Sequence, residues 1–225
     1  NGLILTNYHI VRGGPVAEQN TEQRSEQILY VRLPDRRGFE ARIFAADPRS
    51  DLAVLKIPAT GLHPIRLGNA SSVRKGQFAI ALGNPHLIAR DGSASASWGI
   101  ISNVVRQAMF DPNQDRSTRE TLQNLGVLIQ IDTRLDLGTS GGALINLNGE
   151  LIGITTSLAS LVGYEKSAGF AVPVDDSTRR IIETLRQGKE VEYGFLGIQP
   201  ENVLPSDFTG QYAPAAERFG QFGAA

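Results

Sequence analysis

The sequence predicts an all-β fold, organised as a barrel or a sandwich. Short runs rich in β-branched and apolar residues recur along its 225 residues, and turn residues separate them, which is typical of such folds. A loop-like stretch, LGNASSVRKG at residues 67–76, divides these runs into a set of four and a set of six. One segment alone has the apolar period and the end signals of a helix.

The predicted strands are short, as is usual in all-β domains. The first set covers residues 2–6, 28–33, 38–46 and 52–57. The second set covers residues 77–82, 97–105, 127–131, 142–146, 150–156 and 168–172. The dipeptide Asn148-Gly149 is a hairpin signal between two strands of the second set, so we expect these two strands to pair.

The predicted helix covers residues 174–188. Asp175 or Asp176 can cap its N-terminus, and Gly188 marks its end. Its apolar stripe consists of Ile181, Ile182 and Leu185. The polar stretch 106–124, by contrast, predicts a long surface loop.

Composition excludes several classes of function. Twenty-two basic and 23 acidic residues nearly cancel and no basic run stands out, so we expect neither nucleic acid nor an anionic membrane as a partner. The chain has no cysteine, which excludes disulfides, thiolate catalysis and cysteine-bound zinc. Histidine and acidic residues do not cluster at metal-ligand spacing. We therefore expect no metal and no cofactor.

The stretch GTSGG, residues 138–142, surrounds Ser140 with three glycines. Glycine loses more conformational freedom on folding than any other residue, so this stretch is either a plain turn or a loop whose amides approach a ligand closely. The letters also fit the nucleophile elbow of α/β-hydrolases, in which the catalytic histidine follows the serine. All three histidines of this chain precede Ser140, so that interpretation fails.

Two other chain orders of a catalytic triad remain. The order Asp–His–Ser would pair Asp51 with His63, but it belongs to a parallel sheet with interleaved helices, which this sequence does not predict. The order His–Asp–Ser is met by His9, Asp51 and Ser140. His9 ends the strand-like run LILTNYHIV, and Asp51 directly precedes the predicted strand 52–57. The histidine and the serine would then come from different strand sets.

These residue types suit nucleophilic catalysis. A serine hydroxyl is a poor nucleophile until a neutral imidazole accepts its proton, and a carboxylate fixes the tautomer of that imidazole. The oxyanion hole is predicted at Gly138, Thr139 and Ser140, with the N–H groups of Gly138 and Ser140 turned to one point and Thr139 contributing only its amide.

Each of the three residues also has a structural interpretation. Ser140 can belong to a turn, and His9 can be a core histidine. Asp51 can cap the turn DPRSD, where Asp47 competes with it for the catalytic role. Taken singly, the structural interpretations are the commoner ones. Taken together, in the required order and in these strand contexts, the three residues favour catalysis.

At these positions the chain resembles the HtrA/Deg family of trypsin-like serine proteases. The motifs that carry the resemblance are TNYHIV, DPRSDLAVLKI, LGTSGGALINLNGELIGI and GFAVP followed by a helix. The similarity runs from residue 2 to about residue 200. It implies a chymotrypsin-like double β-barrel with an extracytoplasmic, ATP-independent endopeptidase activity.

The resemblance also implies a domain organisation. A protease domain, residues 1–190, would comprise barrel one (1–67), barrel two (76–173) and the helix 174–188. Residues 191–225 would be a linker and the truncated start of a PDZ domain, to which YGFLGI is similar. Because two six-stranded barrels are expected, about two strands of barrel one would lie upstream of Asn1.

Partners, location and substrate contacts follow from the same resemblance. The family acts on unfolded or misfolded proteins in the bacterial periplasm or cell envelope, forms homotrimers and binds peptide C-termini through PDZ domains. Thr155, Thr156 and Ser157 would pair with the substrate backbone by β-addition. Leu135 and Leu158 would line an apolar specificity pocket for small or medium aliphatic residues.

Two departures from the family pattern lie near the site. Thr139 replaces the usual asparagine, and Arg134 stands where alanine is usual. We expect the first change to be tolerated and the second to affect the specificity or the active-inactive balance of the loop. The alternative function is a catalytically silent binding or chaperone module for unfolded polypeptide. A digestive trypsin-like enzyme is disfavoured, because such enzymes depend on disulfides and this chain has no cysteine.

Overall fold

A computed structural model of the chain describes residues 2–12, 28–85, 88–105, 127–133, 135–136, 138–156 and 169–194. By its internal contacts the chain divides into two units, residues 1–191 and 192–225, and the fold given below belongs to the first. The predicted surface loop 106–124 lies outside the described residues, as does the predicted PDZ segment beyond residue 194.

The first sheet contains the four strands of the first predicted set. They are β1 (Leu3–Asn7), β2 (Leu29–Arg32), β3 (Gly38–Asp47) and β4 (Leu52–Lys56). All pairs are antiparallel and the order is β1-β4-β3-β2, so this sheet stays open, as a half-barrel. β4 pairs on both sides and is buried, which explains its unbroken apolar sequence LAVL.

β1 leads directly into a one-turn helix, α1 (Tyr8–Val11). The sequence predicted that His9 ends a strand, and this is wrong, because the strand ends at Asn7 and His9 lies within α1. The apolar run therefore continues across a change of backbone conformation, which its letters do not reveal.

The second sheet contains the six strands of the second predicted set and one short addition. The strands are β5 (Arg66–Leu67), β6 (Phe78–Gly83), β7 (Ser95–Val105), β8 (Leu128–Ile131), β9 (Ala143–Ile145), β10 (Glu150–Thr156) and β11 (Gly169–Pro173). Their order is β11-β8-β7-β6-β9-β10-β5, and pairing of β10 with β11 closes a six-stranded barrel. β5, which the sequence did not predict, adds in parallel to the outside of β10. The all-β double-barrel prediction is confirmed.

Helix α2 (Asp176–Arg186) covers the junction between the two sheets. The choice between Asp175 and Asp176 as its cap is resolved, because the Asp175 side chain accepts the Thr178 N–H at 2.8 Å. The buried side chains of Ile182 and Leu185 join a core cluster with strands of both sheets. The cluster members from the sheets are Leu52, Val54, Leu128, Leu151, Ile154, Val172 and Val174.

This shared cluster fixes how the two sheets meet. Burying each of its large aliphatic side chains contributes roughly 1.5–3 kcal/mol. A second cluster fills the closed barrel and combines large aliphatic side chains with alanines, which suits a narrow interior. The alanines of that cluster are Ala70, Ala79, Ala81 and Ala171. The sheets therefore form one packed body within residues 1–191.

The described residues contain neither a membrane-spanning helix nor a cluster of metal ligands. None of the helices there is long and apolar enough to cross a membrane. Within the same ranges, histidine, cysteine and acidic residues form no group of three that could hold a metal ion.

Candidate active site

His9 and Asp51 meet because β1 and β4 are antiparallel neighbours. Asn7, the last residue of β1, pairs with Leu52, the first residue of β4. The residues just beyond this pair, on α1 and on the turn before β4, therefore face each other. The distance between His9 Nδ1 and Asp51 Oδ2 is 2.7 Å.

The carboxylate of Asp51 holds both the ring and the backbone of His9. The His9 N–H donates to Asp51 Oδ1 at 2.8 Å, while Oδ2 contacts Nδ1 of the ring. An ionised carboxylate only accepts hydrogen bonds, so it selects the tautomer that carries its proton on Nδ1. Nε2 is then left as the acceptor.

Asp51 has a left-handed backbone, with φ of 55°. This conformation is costly for most residues, although aspartate and asparagine adopt it more readily than others. Its carbonyl oxygen accepts two hydrogen bonds, one from the Tyr8 N–H at 2.9 Å and one from Asn7 Nδ2 at 3.0 Å. The first N–H groups of a helix lack intrahelical partners, and Asp51 accepts those of Tyr8 and His9.

Burial leaves one side of this pair open. Asp51 is 1% exposed and Asn7 is fully buried, whereas the His9 side chain keeps 14% of its surface exposed. No role was predicted for Asn7 from the sequence. The only signal was its position in TNYHIV, two residues before His9.

The loop that carries Ser140 begins with a tight turn. The Thr139 N–H donates to the Asp136 carbonyl at 3.0 Å, and Gly138, the third residue of this turn, has a φ of 92°. A positive φ is left-handed backbone, which glycine adopts without the steric cost that a Cβ brings, and this explains why glycine stands there.

Thr139 differs in two ways from the prediction. Its amide closes the turn, as its contact with the Asp136 carbonyl shows, rather than being directed at a ligand. Its side chain is also used, because Thr139 Oγ1 donates to the same carbonyl at 2.7 Å. Thr139 is 4% exposed, and a Cβ on Gly83 of β6 would lie 2.8 Å from its Cγ2, so the glycine leaves room for the threonine.

Thr155 also lies elsewhere than the predicted substrate edge requires. Its carbonyl accepts the Gly141 N–H at 2.8 Å and its N–H donates to the Gly142 carbonyl at 3.0 Å. Both backbone groups are therefore occupied by the Ser140 loop. Thr156 is fully buried, with no hydrogen-bond partner for its hydroxyl among the described residues. Ser157 and Leu158, the other two predicted substrate contacts from this segment, lie outside the described residues.

The Ser140 loop packs against the strand that leads to His9. A Cβ on Gly141 would overlap Thr6 Oγ1 and approach the Asn7 nitrogen to 3.3 Å. Thr6 and Asn7 are the last residues of β1, so the loop from the second sheet touches the first sheet directly before α1. The structure thus places His9 in contact with Asp51. It places the loop of Ser140 against the end of β1, the strand that leads to His9 and pairs with β4 next to Asp51.

Leu135, which the sequence predicted to line a specificity pocket, packs at the closed barrel. It is partly buried and packs against the cluster inside that barrel. A Cβ on Gly169 would lie 2.7 Å from the Leu135 Cγ and 2.8 Å from the Ile131 Cγ1. Glycine at 169 therefore allows these two side chains to pack directly against the backbone of β11. Arg134 lies outside the described residues.

Comparison with known proteins assigns the family. A family model described as a trypsin-like peptidase domain matches residues 1–154. The chain belongs to the trypsin-like peptidases of the HtrA/Deg family. The resemblance carried by its motifs is thereby confirmed.

The relatives of this HtrA/Deg chain include bacterial endoproteases. It is 33% identical over 199 residues to the periplasmic pH-dependent serine endoprotease DegQ of Escherichia coli strain K12, covering 88% of this chain and 38% of DegQ. It is 32% identical over 207 residues to the periplasmic serine endoprotease DegP of Salmonella typhimurium, covering 90% of this chain and 38% of DegP. The chain thus spans less than half the length of these curated relatives.

Solved structures of the family show the same fold. The HtrA-type protease AlgW with decapeptide is 29% identical to this HtrA/Deg chain, with a TM-score of 0.69. The match covers 100% of this chain and 58% of that chain. A structure of AlgW with tripeptide also has a TM-score of 0.69, at 28% identity, and the match covers 95% of this chain and 60% of that one.

Proposed function

We propose that this chain carries the active site of a serine endopeptidase that hydrolyses peptide bonds in unfolded or misfolded proteins through an acyl-enzyme. The observation that carries the proposal is the contact of Asp51 with both the ring and the amide of His9, beside the loop of Ser140. The relatives are named serine endoproteases, which supports the same reaction class.

The proposed reaction begins with attack of Ser140 Oγ on the substrate carbonyl. His9 Nε2 takes the hydroxyl proton as the new C–O bond forms, and Asp51 stabilises the resulting imidazolium. The N–H groups of Gly138 and Ser140 then hold the oxyanion. His9 returns the proton to the leaving amine, which leaves the acyl group on Ser140. Water then attacks this acyl group, while His9 takes a proton from the water and returns it to Ser140 Oγ as that oxygen leaves. Each oxyanion donor contributes about 10²–10³ in kcat.

The proposed substrate preference follows from Leu135. Its partly buried side chain offers an apolar surface, which favours small or medium aliphatic side chains before the cleaved bond. The residues packed directly beside it, Ile131 and Gly169, carry no acid that would select a basic residue.

Location, assembly and domain organisation are part of the proposal. The relatives are named periplasmic endoproteases, which supports an extracytoplasmic location. We propose a homotrimer whose protease domain covers residues 1–190, with residues 191–225 as a linker and the start of a PDZ domain that binds peptide C-termini. Unfolded proteins are the proposed substrates, and neither a metal nor a cofactor takes part in the proposed reaction.

The deciding variant is Ser140→Ala in the full-length protein. We expect casein hydrolysis and labelling by a fluorophosphonate to disappear, because the probe reacts with the nucleophilic hydroxyl. Ser71→Ala, which replaces an exposed serine that the proposed reaction does not use, should still be labelled. Unchanged labelling of Ser140→Ala would overturn the assignment. Tight binding of unfolded protein by the unsubstituted protein, without cleavage at any temperature, would instead support the silent chaperone alternative.

A further inference from the structure

The hydroxyl of Thr155 contacts the Ser140 loop from beneath. Thr155 Oγ1 donates to the Thr139 carbonyl at 2.6 Å, and Thr155 itself is fully buried. We propose that Thr155 is a positioning residue that orients the Ser140 amide, which is one of the two donors of the proposed oxyanion hole. This inference rests on the proposed function, because it assigns a role within that site.

Peptide geometry connects the two groups. The Thr139 carbonyl and the Ser140 N–H belong to the same peptide unit, which is planar and trans. In a trans unit the C=O and N–H bonds point in opposite directions. A hydroxyl that holds the carbonyl from the side of β10 therefore directs the Ser140 N–H to the opposite side of the loop.

A second donor makes this orientation stiff. The Gly142 N–H also reaches the Thr139 carbonyl, at 3.1 Å, so both lone pairs of the oxygen are used. On the other side of Thr139, its N–H and its hydroxyl both bind the Asp136 carbonyl. The peptide units before and after Thr139 are thus fixed by separate hydrogen bonds, and the one from Thr155 is fully buried.

Small residues allow Thr155 to come this close. A Cβ on Gly142 would lie 3.0 Å from Thr155 Oγ1 and 2.9 Å from the Thr139 oxygen. The same Cβ would overlap the Leu82 carbonyl of β6, so a side chain at 142 would displace the loop from both β6 and β10. Gly142, two residues after the serine, therefore lets the loop lie close enough for a strand hydroxyl to reach the peptide unit that precedes Ser140.

This contact gives Thr155 a role other than binding substrate. Its backbone groups bind the Gly141 amide and the Gly142 carbonyl, and its side chain binds the Thr139 carbonyl. Loss of the hydroxyl leaves Thr139 with the Gly142 donor alone, so the peptide unit can rotate. A donor that points away from the oxyanion stabilises the transition state less, while binding of the substrate in the ground state is unchanged. We therefore expect kcat to fall and KM to stay the same.

The experiment compares Thr155→Ala, Thr155→Val and Thr155→Ser in the full-length protein. Alanine removes the hydroxyl without adding bulk near the Thr139 oxygen, whereas valine keeps the size and loses the donor. We expect both to lower kcat about tenfold, with KM changed less than about twofold, because misplacement of a catalytic group acts on the transition state. Serine keeps the hydroxyl and should restore kcat to within about threefold.

A transition-state analogue separates positioning from general loss of structure. A peptide aldehyde with an aliphatic last residue forms a tetrahedral adduct whose oxygen occupies the oxyanion hole. Its affinity should weaken by the same factor as kcat in Thr155→Ala, while circular dichroism stays unchanged. Thr184→Val in α2, which removes another hydroxyl that donates to a carbonyl, serves as the control and should change neither quantity.

The outcomes distinguish this inference from the proposed function. If Thr155→Ala and Thr155→Val keep kcat and aldehyde affinity while Ser140→Ala is inactive, Thr155 does not position the amide and the proposed function stands. An equal loss in Thr155→Ser also contradicts the inference, because that variant keeps the donor. If Ser140→Ala remains active, the proposed function fails and the inference with it.

Discussion

Asp51 combines a backbone role and a side-chain role that are usually separate. Its carbonyl accepts hydrogen bonds from Asn7 and Tyr8, and its carboxylate accepts the amide of His9 and contacts the ring. The left-handed backbone aligns both acceptors with the start of α1. Aspartate is one of the few residue types that offers a carboxylate and tolerates this conformation.

Asp51→Asn tests the side-chain role with little change in shape. Asparagine tolerates a left-handed backbone, so the fold should persist, but its amide does not stabilise the His9 imidazolium. We expect kcat to fall about 10⁴-fold, as the Ser-His-Asp template predicts. The measurement is the initial rate of peptide hydrolysis at saturating substrate, which gives kcat.

Asp47→Asn is the matched control for the competing carboxylate. The Asp47 carboxylate accepts the N–H groups of Arg49 and Ser50 within the turn that precedes β4. We expect this variant to lose some stability and to keep kcat within about threefold. The opposite ranking of the two variants would assign the catalytic carboxylate to Asp47.

Helices α1 and α2 differ in how much of their structure their own sequences specify. α2 is a long amphipathic segment with its own cap, so its sequence carries period, start and end. α1 has only four residues, and its N-terminal N–H groups are satisfied by Asp51, more than forty residues away in the chain. The structure of α1 is therefore a property of the pairing between β1 and β4.

Asp175→Ala tests the cap of α2. Loss of the hydrogen bond to the Thr178 N–H should lower the free energy of unfolding by about 1 kcal/mol. Denaturant titration measures this change. Asp176→Ala removes a carboxylate from the same first turn without removing the cap, so it should cost about 0.3–1 kcal/mol at low salt and less at high salt. An equal, salt-independent loss in both variants contradicts the cap assignment.

At the scale of the whole molecule, the proposed site depends on the packing of two sheets. The segments next to β1 and β4 of the open sheet carry His9 and Asp51, and a loop of the closed barrel carries Ser140. Their common core contains strands of both sheets and α2. Where the sheets touch near the site, Gly141 approaches Thr6 so closely that a side chain would not fit.

Gly141→Ala tests this contact, and Gly149→Ala is its control. Both glycines have a left-handed backbone, with φ of 80° and 73°, so alanine should cost each about 1–2 kcal/mol in the free energy of unfolding. A Cβ at 141 would also overlap Thr6, whereas at 149 nothing lies within 4 Å. We expect only Gly141→Ala to lower kcat, by about 100-fold, because the loop must shift relative to β1. Equal kcat in the two variants would show that this contact does not position the loop.

The sequence by itself determined every described strand except β5, the main helix and the three residues proposed for catalysis. Period-two runs between turn residues record which backbone is half-buried, and the position of all three histidines before Ser140 excludes the nucleophile elbow. These are local patterns or matters of chain order, so no coordinates are needed to see them.

Only the tertiary structure decided the details that orient the site. The one-turn helix at His9, the bond from Asn7 to the Asp51 carbonyl and the position of Thr155 under the Ser140 loop join segments far apart in the chain. The sequence around Thr155 is equally compatible with a substrate-binding edge. The proposed positioning role follows from the groups that its amide, carbonyl and hydroxyl bind in the structure. Spacing in sequence does not show these contacts, because hydrogen bonds depend on distance in space.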